Sequence, residues 1–218
     1  MRSARSAGLW TLPNILTIGR IALTPVIAFL PFIEGYGPKL LAFVIFIMAA
    51  VSDVIDGRLA RRNNLVTDVG KVLDPIADKL LLLATVVPIY YVSRARADLY
   101  DIPVWRSVPL WVCVVLIGRE LAMTVFRWWA KRRGVVIAAQ GPGKLKTVMQ
   151  NIFVGGTILW FAFRDAWAPL RLHENGFWVF WRELHGSFVS VTLGIATVLT
   201  VYSFLVYLYR YRSLFRAP

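Results

Sequence analysis

The chain has 218 residues, 58% of them hydrophobic, with a mean hydropathy of +0.61 and a formal net charge of +13 at pH 7. That composition excludes an ordinary soluble domain and makes a polytopic, all-α membrane protein the expectation. No nucleic-acid fold pattern accompanies the charge, and the basic residues crowd the ends of apolar runs, so anionic head groups and phosphorylated substrates, not nucleic acid, are the expected partners.

In chain order, Met1–Trp10 carries Arg2 and Arg5 but lacks the apolar core of a cleaved signal peptide, so an uncleaved cytoplasmic start is expected. Residues 1–13 read as a cytoplasmic or interfacial N-terminal segment and 14–218 as a single transmembrane domain. The first span is expected over Asn14–Ile33, with Arg20 inside it and Pro25 and Pro31 as kinks. Glu34–Pro38 is a turn by composition. A second span, Lys39–Arg61, is apolar at first and ends in Asp53 and Asp56. After a polar link, a third span runs from Gly70 to Val92 with Asp74 and Asp78 in its first turns. Ser93–Ser107 reads as a mixed loop, and the fourth span, Val108–Trp129, carries Arg119, Glu120 and Arg127. A basic loop from Lys131 to Thr147 precedes the fifth span, Val148–Phe163. Ala166–Gly186, rich in Trp and Phe but punctuated by charges, fits an interfacial helix better than a span. The sixth span is Phe188–Tyr209.

Six spans place both termini on one side, and the excess of Lys and Arg there makes it the cytoplasmic one. The lone cysteine, Cys113, sits in an apolar run and reads as a small buried hydrophobe. His173 and His185 fall on the outer side without a ligand partner at helical spacing, so solvent or head-group roles are expected for them.

The chemistry is expected at Asp53, Asp56, Asp74 and Asp78. Spacings of three and four put each pair on one helix face. Ionisable groups at membrane depth are costly and mark function. Hard carboxylate oxygens suit Mg²⁺ or Mn²⁺. The competing reading is a buried polar network that only pairs helices, with Asp53 or Asp56 bridging to Arg20, Arg58 or Arg61. Asn14, Thr17 and Thr67 have helix caps or turns as their competing roles.

Asp53-x2-Asp56-Gly57-x2-Ala60-Arg61-x8-Gly70-x3-Asp74-x3-Asp78 matches every fixed position of the signature of CDP-alcohol phosphotransferases, and the chain resembles that family. The resemblance implies the fold of that family and displacement of CMP from a CDP-linked lipid by an alcohol. It implies Asp53, Asp56 and Asp74 as metal ligands, Asp78 as both near the metals and general base, and two Mg²⁺ or Mn²⁺ ions. Gly57, Ala60, Arg61 and Gly70 are implied at the CDP-lipid site, joined by Asn14, Thr17 and Thr67. A homodimer is implied by the resemblance alone.

Arg119-Glu120, Arg127 and Gly143-Lys144-Leu145-Lys146-Thr147-x2-Gln150 resemble the phosphatidylglycerophosphate synthase branch of the family. Arg119, Arg127, Lys144 and Lys146 are then expected to bind the phosphate of sn-glycerol 3-phosphate, with Glu120 orienting an arginine. Their competing role is an anchor for anionic lipid. The rival activities are a cardiolipin synthase, a phosphatidylinositol-phosphate synthase and, from another class, a cation transporter with an acidic intramembrane site.

Overall fold

A computed structural model describes residues 11–62, 67–135, 137, 141–167 and 176–215. Among them are six α-helices: α1 (Leu12–Phe29), α2 (Tyr36–Arg62), α3 (Asp68–Ala95), α4 (Leu110–Arg132), α5 (Gly141–Trp167) and α6 (Gly176–Arg210). Short 3-10 turns occupy Leu30–Phe32 and Arg212–Phe215.

Local chemistry sets several of the boundaries. Pro13 lies in the first turn of α1, where a missing N–H costs nothing. Pro31 has no N–H to continue the ladder, and the chain tightens there into the 3-10 turn. Gly35 then reverses the chain at φ +104°, a conformation other residues adopt only with strain.

The helices pack as a closed ring. α1 lies between α2 and α3, α2 packs on α5, α5 on α6, α6 on α4, and α4 returns to α3. Ile27, Phe46, Val112, Leu116, Phe153 and Leu193 are among the buried side chains at its centre. Large apolar residues such as Phe29, Met48, Val125 and Val198 face outward. That inversion suits a lipid surround, where helices satisfy their own backbone groups. Three stretches, Leu12–Phe32, Tyr36–Ile55 and Gly176–Arg210, are long and apolar enough to cross a bilayer. The chain is thus an all-helical protein with the character of an integral membrane protein.

Two expectations are corrected. Gln140–Thr147 reads as a loop because of Gly141-Pro142-Gly143, yet α5 starts at Gly141. A proline in a first turn does not interrupt the hydrogen bonds, so Lys144 and Lys146 stand on a helix. The segment at 176–186 is not a separate interfacial helix but the opening turns of the 35-residue α6. At about 1.5 Å per residue α6 exceeds a hydrocarbon core of about 30 Å, so one end projects beyond it. His185 is turned inward rather than toward solvent. It is buried among the rings of Trp160, Phe163, Trp181 and Phe188, with Nε2 3.0 Å from the Gly156 carbonyl oxygen. His173 lies outside the described residues.

A clasp joins α2, α5 and the 96–109 loop. Lys39 Nζ donates to Asp165 Oδ2 at 2.5 Å and to the Ile33 carbonyl at 2.9 Å. Gly35 N–H donates to the same Asp165 oxygen at 2.8 Å, and the Tyr100 hydroxyl donates to Oδ1. Burial and the adjoining Asp165 carboxylate push the Tyr100 phenol well above its usual range, so it remains a donor.

Candidate active site

The site begins where α1 and α3 meet. Thr67 precedes α3 with extended backbone and caps it, its Oγ1 accepting from Gly70 N–H at 2.9 Å. The same hydroxyl donates to Asn14 Oδ1 at 3.0 Å, tying the starts of α1 and α3 together. Gly70 leaves the room this crossing uses. A Cβ there would stand 2.9 Å from Asn14 Oδ1 and 3.1 Å from Thr67 Oγ1. The capping role set against Asn14 and Thr67 in the sequence is therefore what Thr67 performs, with Asn14 as its partner.

One turn along α1, Thr17 Oγ1 is 2.9 Å from Asp74 Oδ1, with the Pro13 carbonyl oxygen also in reach at 3.1 Å. Arg20 comes next on the same face. It is 2% exposed, and its Nη1 donates to Asp53 Oδ1 at 2.5 Å and Asp78 Oδ1 at 3.4 Å. Helix α1 thus lines up an amide, a hydroxyl and a guanidinium at i, i+3 and i+6, and these reach acidic or capping groups on α2 and α3. Arg20 bridges the two aspartate pairs, a role visible in the sequence only as one option for a salt bridge.

The described carboxylates suit a hard cation by their chemistry. Asp53, Asp74 and Asp78 each place Oδ1 on a fixed donor, and among the described residues no donor reaches the second oxygen. The Asp53 and Asp78 side chains are 44% and 59% exposed, so those oxygens are open. Among the described residues, three acidic groups do not by themselves close around one point. Asp56 follows Asp53 by one turn of α2. Its side chain, like those of Gly57, Ala60 and Arg61, lies outside the described residues.

Facing the aspartates is a second cluster. Lys146 on α5, 2% exposed, donates to Glu120 Oε1 at 2.6 Å, and Arg119 Nη1 donates to the same oxygen at 2.8 Å. Arg119 is held further by Ser203 Oγ at 3.2 Å and lies 6.0 Å from the centre of the Tyr207 ring, both on α6. Two buried cations share a single carboxylate, so this wall keeps an excess of positive charge. Arg127 and Lys144 do not join it; both are exposed. The four-residue phosphate site expected from the sequence therefore divides into an assembled pair and two surface cations.

The clusters meet across a cavity of about 100 Å³. Asp53, Asp78 and Lys79 line one side, Glu120, Lys146, Thr147, Gln150 and Asn151 the other, and Phe46, Ala50, Leu82 and Val154 its apolar walls. Aspartates and a buried lysine thus meet on one cavity, an arrangement fit for a phosphate-bearing substrate approached by metal. Gln150 is the contributor that sequence reasoning left without a role; its position one turn after Lys146 was the available signal.

The fold is thus an all-helical bundle of membrane character, with aspartates and a buried lysine gathered on one internal cavity. The family model for CDP-alcohol phosphatidyltransferase matches residues 10–202, and the chain belongs to that family. Over 163 residues it is 37% identical to the CDP-diacylglycerol–glycerol-3-phosphate 3-phosphatidyltransferase of Bacillus subtilis (strain 168), covering 69% of this chain and 78% of that protein. The protein of the same name from Rickettsia bellii (strain RML369-C) is 30% identical over 193 residues, 88% of this chain and 92% of that protein. A cardiolipin synthase (CMP-forming) of Oryza sativa subsp. japonica is 37% identical over 167 residues, 75% of this chain. The chain spans about half of that relative, 49% of its length.

Proposed function

We propose that this protein transfers the phosphatidyl group from CDP-diacylglycerol to sn-glycerol 3-phosphate, giving phosphatidylglycerophosphate and CMP. The observation that carries this reading is Lys146, a buried cation lining the cavity that also holds Asp53 and Asp78, with Arg119 sharing its Glu120 partner. A phosphomonoester acceptor needs fixed, buried cations at such a wall. An acceptor without a phosphate, such as inositol or serine, has no use for them. The names of the bacterial relatives agree with this choice.

Asp78 accepts the proton of the attacking hydroxyl, which must come within hydrogen-bonding distance of its open oxygen. The hydroxyl oxygen bonds to the lipid-side phosphorus as the bond to CMP breaks. Arg20, from α1, holds Asp53 and Asp78 together and offsets the repulsion between them. Asp53, Asp56 and Asp74, with Asp78, would hold the Mg²⁺ or Mn²⁺ ions, which neutralise pyrophosphate charge when bound. Asn14, Thr17, Gly57, Ala60, Arg61, Thr67 and Gly70 form the CDP side of the site, and Arg119 with Lys146 the acceptor side. Arg127 and Lys144 serve as outer cations that attract the acceptor.

The proposal extends to six membrane spans, one domain over 14–218, a homodimer, and a site on the cytoplasmic face of a bacterial inner membrane, where CDP-lipid and a soluble phosphate meet. Excess Lys and Arg at that face supports the orientation. The rice relative keeps cardiolipin synthesis as the second reading. CMP release by the purified protein with Mg²⁺ or Mn²⁺ and a panel of acceptors decides between them. Release with sn-glycerol 3-phosphate is expected; release with phosphatidylglycerol alone would move the protein to the second reading.

A further inference from the structure

On the cavity wall, most polar side chains already have a protein partner. Thr85 donates to the Leu81 carbonyl and Thr147 to that of Gly143, while Lys146 and Glu120 hold each other. Gln150 differs. It is 6% exposed, lines the cavity between Lys146 and the apolar Val154, and its buried carboxamide oxygen finds no hydrogen-bond partner among the described residues. A buried amide left in this state is costly, and native proteins supply it with a partner. No donor among the described residues is in place to supply one. A ligand group must therefore be considered, and the chemistry narrows which.

A carboxamide is neutral and carries a donor and an acceptor at one end, whichever way it is turned. Phosphate oxygens only accept, and they are drawn to the cation of Lys146, which lines the cavity. The attacking hydroxyl must face Asp78. The group that matches Gln150 is a neutral hydroxyl, which donates and accepts at one atom. Lys146 and Gln150 are four residues apart on α5, on one face and separated by about 6 Å of helix rise. A phosphate on the first and a hydroxyl on the second thus belong to a short polyol phosphate.

Resting on the acceptor assigned above, we propose that Gln150 is a specificity-determining residue that reads the secondary, non-reacting hydroxyl of the acceptor. It distinguishes a glycerol phosphate from a phosphorylated alcohol of equal length that lacks this group. A site that hydrogen-bonds a substrate hydroxyl rejects the deoxy analogue, because its own buried polar group is then stranded.

The test crosses the residue with the hydroxyl. Turnover of sn-glycerol 3-phosphate and of 3-hydroxypropyl phosphate, which lacks the secondary hydroxyl, is measured as kcat/KM with wild type and with Gln150→Met. Wild type is expected to prefer the glycerol phosphate by about 10- to 100-fold, the range for stranding one buried polar group. In Gln150→Met, similar in length but unable to pair, the preference falls to within about threefold, mainly through loss on the natural acceptor. Gln150→Asn, which withdraws the amide by one methylene, should likewise lose most of the preference. An unchanged ratio in a folded, active variant overturns the inference while leaving the acceptor assignment standing. Wild type that accepts both substrates equally overturns it without any variant. Wild type that turns over neither phosphate overturns the acceptor assignment, and this inference with it.

Discussion

Helix α2 carries an ion pair toward each of its ends, and the two are finished differently. At its start, Lys39 meets Asp165, which is 5% exposed at the side chain and takes donors on both oxygens from Lys39, Gly35 and Tyr100. Fourteen residues on, or about 21 Å along the helix, Asp53 meets Arg20. There the cation is buried, but the carboxylate is 44% exposed and keeps an oxygen free of donors among the described residues. The same charges make a saturated clasp at one place and a carboxylate with an open oxygen at the other. Saturation serves rigidity; leaving lone pairs open keeps a place for ions and substrate.

Substitutions can break this contrast. The largest effect belongs to the open carboxylates. Asp78→Asn should lower turnover by about 10²- to 10⁴-fold, the usual contribution of a general base, while metal-dependent CDP-lipid binding persists. Asp53→Asn should lose both. Isotherms for CDP-lipid alongside CMP-release rates separate the two, and near-normal turnover in Asp78→Asn would remove it from the role of base. Stripping divalent ions with a chelator should likewise abolish CMP release, with recovery on adding Mg²⁺ or Mn²⁺.

The clasp should answer in the opposite currency. Lys39→Met strands a buried carboxylate and is expected to cost about 3–5 kcal/mol of stability, seen as a lower Tm in detergent. Turnover per folded molecule should hardly move. A Lys39→Met/Asp165→Leu double variant should recover much of that loss, because an apolar pair of similar volume often replaces a buried ion pair without penalty. If Lys39→Met instead lowered turnover with Tm unchanged, the division between clasp and site would be wrong.

Gly70→Ala probes the seam between architecture and chemistry. Its Cβ would press on Asn14 and Thr67, at a cost of about 1–3 kcal/mol for overpacking, and should raise the KM for CDP-lipid more than it lowers kcat. The smallest effects are expected at the exposed cations. Lys144→Ala or Arg127→Ala should weaken acceptor use only a few-fold, and less at high salt, since solvent-exposed charges are worth about 1 kcal/mol or less. Lys146→Ala should cost far more. Equal effects for Lys144 and Lys146 would mean that the acceptor binds farther out than the cavity.

The signature from Asp53 to Asp78 was legible because it compresses the acidic half of the site into one short stretch across two helices. Its spacing states which carboxylates share a face before any packing is known. The basic half was only partly legible. Arg119, Arg127, Lys144 and Lys146 all look alike as cations near helix ends, and burial alone separates the first and last from the middle two. Misreading Gly141–Thr147 as loop hid the phase that puts Lys146 and Gln150 on one face. His185 was misplaced because its charged neighbours in sequence, Arg182 and Glu183, suggested an outer position, whereas its ring packs on Trp160 and Phe163 of α5.

By itself, then, the sequence determined that this is a helical membrane protein of the CDP-alcohol phosphatidyltransferase family, with its acidic motif at the ends of two adjoining helices. Hydropathy and fixed local spacing suffice for that, because both act within one or two helices. The tertiary structure alone decided that Arg20 spans the two aspartate pairs, that Glu120 gathers two cations, and that the Gln150 carboxamide oxygen stands on the cavity wall with no hydrogen-bond partner among the described residues. Those depend on how α1 to α6 close the ring, and burial, which sets the cost and use of each polar group, is a property of that closure.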